Sequence, residues 1–399
     1  MRIEPSSAFT VRRDQRHYGL DWLRIAAFAL LILYHIGMVF GPWPWVIHSP
    51  HRYWQVVPLL ALLSPWRLAL LFAVSGYASR KLLDRSGGLG RFTASRNKRL
   101  LIPFAFGMAV LVPIEMYIQV ADRGYSLSYL HFWSADYWRW GSFYGKRFPA
   151  YEHLWFVIYL WAYTLVLAAA LKLGCRPLDR LVARSLVWLR GGRRILWVPI
   201  TLLSIAKLGM MFVIPDETGL LTDWTGHAFY LPMLVAGFVL AGAPSLWPVI
   251  ARVWRPAAIT AVITGSIIVA IDLIYLDKMP SHLWAMVDRT ARNAMAWSMV
   301  LVLFLAADRY LNRDHPWRAT LGEAVFPFYL IHHSAIVVTA WATLPLALNP
   351  WAEFAILLAA TATACALFYL IGRKVGWLRP LIGLRPRASP PVRSESRHG

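Results

Sequence analysis

The chain has 399 residues, 58% hydrophobic and only 15% charged, with 21 tryptophans and a mean hydropathy of +0.48. That profile excludes an ordinary soluble domain and places the chain in a bilayer. The formal net charge of +21 does not imply nucleic acid, because the basic residues fall in alternate loops between apolar stretches, the topology signal of a membrane protein.

In chain order the apolar stretches are roughly 20–40, 58–78, 101–120, 153–173, 195–214, 227–242, 257–275, 286–307, 324–344 and 351–372. Each is close to the length that spans about 30 Å of hydrocarbon as a helix, the sixth being short by strict count. The expected fold class is therefore all-α: a polytopic membrane helix bundle of about ten transmembrane helices. Residues 1–19 read as a cytoplasmic N-terminal tail, 20–376 as one transmembrane domain, and 377–399, with Pro380, Pro386, Pro390 and Pro391 among arginines and serines, as a disordered basic tail. Arg2, Arg12, Arg13 and Arg16 precede the first stretch, and Arg80, Lys81, Arg85, Arg91, Arg96, Lys98 and Arg99 follow the second. Further basic groups lie between Lys172 and Arg194, at Arg252 and Arg255, from Arg309 to Arg318 and beyond Arg373. The positive-inside rule then puts both termini in the cytoplasm. Cys175 and Cys365 lie in or beside apolar stretches and form neither a disulfide framework nor a CxxC metal signature. No metal site and no cleavable signal peptide are expected.

The first stretch, LDWLRIAAFALLILYHIGMVF, carries Asp21, Arg24 and His35. Ionisable groups at membrane depth are costly and usually face a protein interior or a wet cavity. Arg24 and His35 share a helix face about 16 Å apart, half a hydrocarbon core. On this topology Arg67 lies in the outer half of the second span and His153 opens the fourth. His332 and His333 lie mid-way along the ninth, with only one of the pair able to face inward. Arg96 and Arg99 sit at i,i+3 beside Lys98 at the cytoplasmic mouth. Plainer readings stand beside these. His153 suits an interfacial anchor, Arg67 can snorkel, Arg96 and Arg99 suit positive-inside residues, and Asp21 with Arg24 suits a helix-start pair. The outer segment 121–152 is rich in aromatics, among them Tyr125, Phe132, Trp138, Trp140 and Tyr144. An interfacial belt and a platform for sugar rings both stay open.

These residues resemble the acyltransferase-3 family of integral-membrane acyltransferases, and within it the glucan-biosynthesis protein C branch, which succinylates osmoregulated periplasmic glucans. The resemblance rests on LDWLRIAAFALLILYH, LLFAVSGYASR, SRNKRLLIPF, HLWFVIYL and FPFYLIHHSAIV, in order over nearly the whole chain. Arg24 and His35 match the family's Arg, ten residues, His motif, and Arg96 and Arg99 its Arg-x-x-Arg motif. One departure is that the glutamate many members carry shortly after the HxWSL-like histidine is absent, the positions here being Val157, Ile158 and Tyr159.

The resemblance implies transfer of an acyl group, succinyl or acetyl, from cytoplasmic acyl-CoA to a hydroxyl of a periplasmic glucan, with a carbohydrate acceptor and the lipid bilayer as partners and no nucleic acid. A neutral histidine suits removal of the hydroxyl proton near neutral pH. His35 is the expected base, with Arg24, Asp21, His153 and His332 in support. Arg96, Arg99 and Lys98 are expected at the CoA phosphates, for which an arginine fork is well shaped. Arg67, Trp155 and Ser75 are expected at the substrate. Acetylation of another exported polysaccharide or glycolipid is the nearest alternative, and a secondary transporter is the alternative from another class. The oligomeric state stays open.

Overall fold

The computed structural model describes residues 17–174, 184–214 and 219–386. Cys175, the arginines at positions 2 to 16 and the tail from 387 onward lie outside them. Among the described residues, nine helical segments are long and apolar enough to cross a membrane. The helices are α1 (Tyr18–Phe40), α2 (Val57–Arg85), α3 (Leu89–Phe106), α4 (Val112–Ala121), α5 (Trp155–Leu173), α6 (Arg194–Met210), α7 (Trp224–Gly242), α8 (Trp247–Ile274), α9 (His282–Tyr310), α10 (Pro316–Thr343), α11 (Pro350–Lys374) and the short α12 (Leu378–Leu381). Segments α3 and α4 form one span through the π turn Gly107–Leu111. The fifth expected span is α6, a 17-residue helix that falls just short of that length. The short sixth stretch is lengthened to 19 residues as α7, because Asp223 caps it by accepting the amide of Gly226.

In lipid, helix association rests on close packing rather than on the hydrophobic effect, so small residues mark the tightest crossings. The most extensive contact is α2 on α7. There a β-carbon at Gly76 would lie 1.9 Å from the Leu234 carbonyl oxygen, and one at Gly237 would lie 1.8 Å from that of Ala73. Gly237→Ala must therefore push two backbones apart, and overpacking of this kind costs about 1–3 kcal/mol. Thermal unfolding of the detergent-solubilised variant is expected at a clearly lower temperature than wild type. An unchanged transition would show that the two helices are not in backbone contact.

Ion pairs tie further helices together. Arg292 on α9 binds Asp288 at 2.8 Å and Asp272 on α8 at 2.7 Å. Arg318 on α10 binds Asp21 on α1 at 3.0 Å and Asp314 at 2.6 Å. The chain end differs from the disorder expected from 377: α12 is helical, and Ile382 and Leu384 are buried. Composition reads the prolines and arginines there as a solvated tail, but the two aliphatic side chains find cover on the bundle.

Between α4 and α5, a two-stranded antiparallel hairpin pairs β1 (Gly141–Phe143) with β2 (Lys146–Phe148), Ser142 opposite Arg147. Part of this aromatic set forms a core instead of a belt or platform, while Tyr129, Trp133, Trp138, Trp140 and Tyr144 stay exposed. Phe132, Tyr137 and Phe148 are buried and meet one another edge-on or tilted, with Tyr125 and Phe143 against them, a small core beneath the hairpin. Burial and the hydrogen bond to Asp136 (2.6 Å) push the Tyr125 hydroxyl above its ordinary pKa. Trp140, 86% exposed, is left at the surface.

Candidate active site

A cavity of about 960 Å³ lies beneath this hairpin, among α1, α2, α5 and α10. Its walls include His35, Arg67, Gln119, Glu152, His153, Trp155 and His333, and its mouth Trp140, Lys146 and Arg147. Burial pulls the Lys146 ammonium below its ordinary pKa, with Glu152 opposing.

The tautomers follow from fixed acceptors. His332 is fully buried, and its Nδ1 lies 2.7 Å from the Tyr329 carbonyl oxygen, which can only accept. Nδ1 therefore carries the proton, and in the neutral ring Nε2 is an acceptor. His35 Nδ1 sits 2.9 Å from that Nε2 and donates to it. The Nε2 lone pair of His35 is then left bare on a ring that lines the cavity. A histidine relay anchored on a backbone carbonyl thus fixes which nitrogen can take a proton.

Glu115 was not among the sequence candidates, and it organises the other half of the site. Its carboxylate is fully buried and accepts from Ser334 Oγ at 2.5 Å and from His333 Nδ1 at 2.9 Å. His153 Nδ1 lies 3.3 Å away. His153 Nε2 donates to the Leu330 carbonyl at 2.9 Å, and the Tyr329 hydroxyl donates to the His153 carbonyl. The carboxylate beside His153 therefore comes from α4 rather than from the positions after it. A local distortion precedes Glu115: Pro113 has no N–H for the Ala109 carbonyl, which accepts from Trp133 Nε1 at 2.8 Å instead, and Tyr137 donates to the Met108 carbonyl at 2.7 Å. π turns of this kind are frequent at functional sites. The signal available in the sequence was a lone acid inside LVPIEMYIQV, which the cost of charge at membrane depth should have flagged. Glu115, His153 and His333 also bring donor atoms within 4.8 Å of one another, a spacing compatible with a metal ion. Ser334 and His333 each occupy one acceptor position on a different carboxylate oxygen.

Arg67 is 5% exposed, with its Cζ 3.4 Å from the centroid of the Tyr34 ring. Its Nε and Nη1 have no hydrogen-bond partner. Burial of a cation is tolerated when it is paired, and the cation–π contact leaves these donors open toward a ligand. Trp155 lines the same cavity.

The remaining expected residues sit elsewhere. Arg24 donates to the Gly322 carbonyl at 3.2 Å, and Asp21 is held by Arg318. Arg96 donates to Ser79 Oγ at 2.9 Å, and Ser79 in turn donates to the Ser75 carbonyl at 2.7 Å. Ser75, expected at the substrate, thus supports Arg96 and is not part of the cavity wall. Lys98 and Arg99 are exposed. Arg24, Arg96 and Arg99 belong to the basic end of the bundle and do not line the cavity. Of the adjacent histidines, His333 faces the cavity, whereas His332 orients His35.

A basic nitrogen, a carboxylate-held imidazole and an open guanidinium around one intramembrane cavity define a polytopic membrane protein equipped for group transfer. Residues 17–370 match the acyltransferase-3 family, described as an acyltransferase domain. The chain belongs to that family, and is a multi-pass membrane acyltransferase. No curated protein and no solved structure matches it.

Proposed function

We propose that this protein moves a succinyl group from acyl-CoA in the cytoplasm to a hydroxyl of a glucan outside the bacterial inner membrane, with both termini cytoplasmic. The observation that carries the reading is the Nε2 of His35, bared by the His332 relay at a cavity. His35 Nε2 takes the acceptor hydroxyl proton as the oxygen attacks the thioester carbon. The tetrahedral intermediate then collapses, the C–S bond breaks, and the thiolate leaves with the proton returned from the imidazolium. His333 in its imidazolium form, with Glu115 as its counterion, is placed to donate to the developing oxyanion. The CoA phosphates bind the arginines of the basic end, and the extended pantetheine arm crosses the roughly 16 Å between Arg24 and His35. Family membership decides against the transporter alternative.

Succinyl is favoured over acetyl because Arg67 has buried N–H groups open for a carboxylate, and acetyl has no charge to meet them. Arg67→Met is expected to cut succinyl transfer at least tenfold while changing acetyl transfer by only a few-fold, read in competition between the two thioesters on purified protein. Equal loss with both donors would return Arg67 to a structural role and leave acetylation of an exported glycan as the better reading.

A further inference from the structure

The ordered end of the chain completes a group of arginines. Helix α12 packs on α3, which carries Arg96 and Arg99. Beyond it the chain turns at Gly383, where φ is +80° and a β-carbon would lie 2.2 Å from the Phe326 ring. No side chain suits that conformation or that space, so the turn is fixed by packing. Arg379 clamps the segment: its Nε donates to the Arg385 carbonyl at 2.7 Å and its Nη1 to the Arg373 carbonyl at 2.9 Å. Its Nη2 reaches Glu323 at 3.4 Å.

The clamp fixes the backbone at Arg385 at the end of a segment packed on α3, the helix of Arg96 and Arg99, and Arg24 reaches the same basic end at the Gly322 carbonyl. Arginines from α1, α3 and the chain end are thus brought to one end of the bundle by a fixed scaffold. Glu323 at this end is already committed to Arg373, Arg379 and Tyr369. Held like charges of this kind are stabilised by an anion between them.

We propose that Arg385 is a further phosphate-binding cation of the donor site and that Arg379 is its positioning residue, so that the C-terminal segment forms one wall of the site. The proposal rests on the reading that the basic end takes the phosphates of CoA.

The test uses the full chain in nanodiscs of phosphatidylcholine, with the affinity for free CoA measured by calorimetry. Arg385→Ala and Arg379→Ala are each expected to weaken CoA binding roughly tenfold or more, with Arg385→Lys intermediate. Arg385 is exposed, so its replacement is expected to leave thermal unfolding unchanged. Arg99→Ala separates the two claims. If it weakens CoA and Arg385→Ala does not, the role of the chain end is overturned alone. If neither variant changes the affinity, the donor reading of the basic end falls with it. Loss of phosphatidylglycerol retention by Arg385→Ala in native mass spectrometry, with CoA affinity intact, would assign the cation to a lipid headgroup and also overturn the proposal.

Discussion

His35→Ala is expected to lower acyl transfer by about 10²–10⁴-fold, the usual contribution of a general base, with expression and membrane insertion intact. The ring is reached from the cavity and bonds through Nδ1 to His332, so its removal deletes the proton acceptor without unpairing a charge. His332→Phe should lose less, roughly tenfold, because it removes one hydrogen bond that selects the tautomer and leaves the base in place. Steady-state transfer with purified protein checks both. Activity of His35→Ala within a few-fold of wild type would remove His35 from the chemistry. A larger loss in His332→Phe than in His35→Ala would exchange their roles.

Glu115→Ala has the second large effect, and it falls on stability as well as on turnover. One fully buried carboxylate accepts from Ser334 and His333, with His153 Nδ1 3.3 Å away. Removing one partner of a buried charged network costs about 3–5 kcal/mol. The variant should unfold at a markedly lower temperature in detergent, and the protein that survives should transfer poorly because His333 has lost its orienting acceptor. Glu115→Gln keeps the shape and one acceptor oxygen, so it should recover much of the stability while remaining slow. Wild-type turnover in Glu115→Gln would show that the carboxylate supports the fold alone.

The parts of this site that were legible in the sequence share one property: an ionisable side chain stands alone inside an apolar run. His35 and Arg67 satisfy that rule, and the structure places both on one cavity. Glu115 satisfies it too, but the π turn before it helps decide where it points, and that turn is not visible in spacing. Pairings were not legible. His35 and His332 are 297 residues apart, and only the packing of α1 on α10 brings them together. Arg24 and His35, correctly read as sharing one helix, serve different ends of the bundle, because α1 is long enough to reach from one to the other. The buried part of the outer aromatic set was not legible either. Tyr125, Phe132, Tyr137 and Phe148 pack on one another, and a count of rings cannot distinguish a core from a surface. The chain end misled for the opposite reason, since its prolines and arginines hide Ile382 and Leu384, which are buried.

The role proposed for His35 joins a thioester to a sugar hydroxyl. The most direct measurement is mass spectrometry of glucan incubated with the reconstituted protein and an equimolar mixture of succinyl-CoA and acetyl-CoA. General-base catalysis by His35 predicts a succinyl ester increment on the glucan with wild type and none with His35→Ala. Unmodified glucan, an acetyl increment alone, or an undiminished succinyl increment with His35→Ala would contradict it.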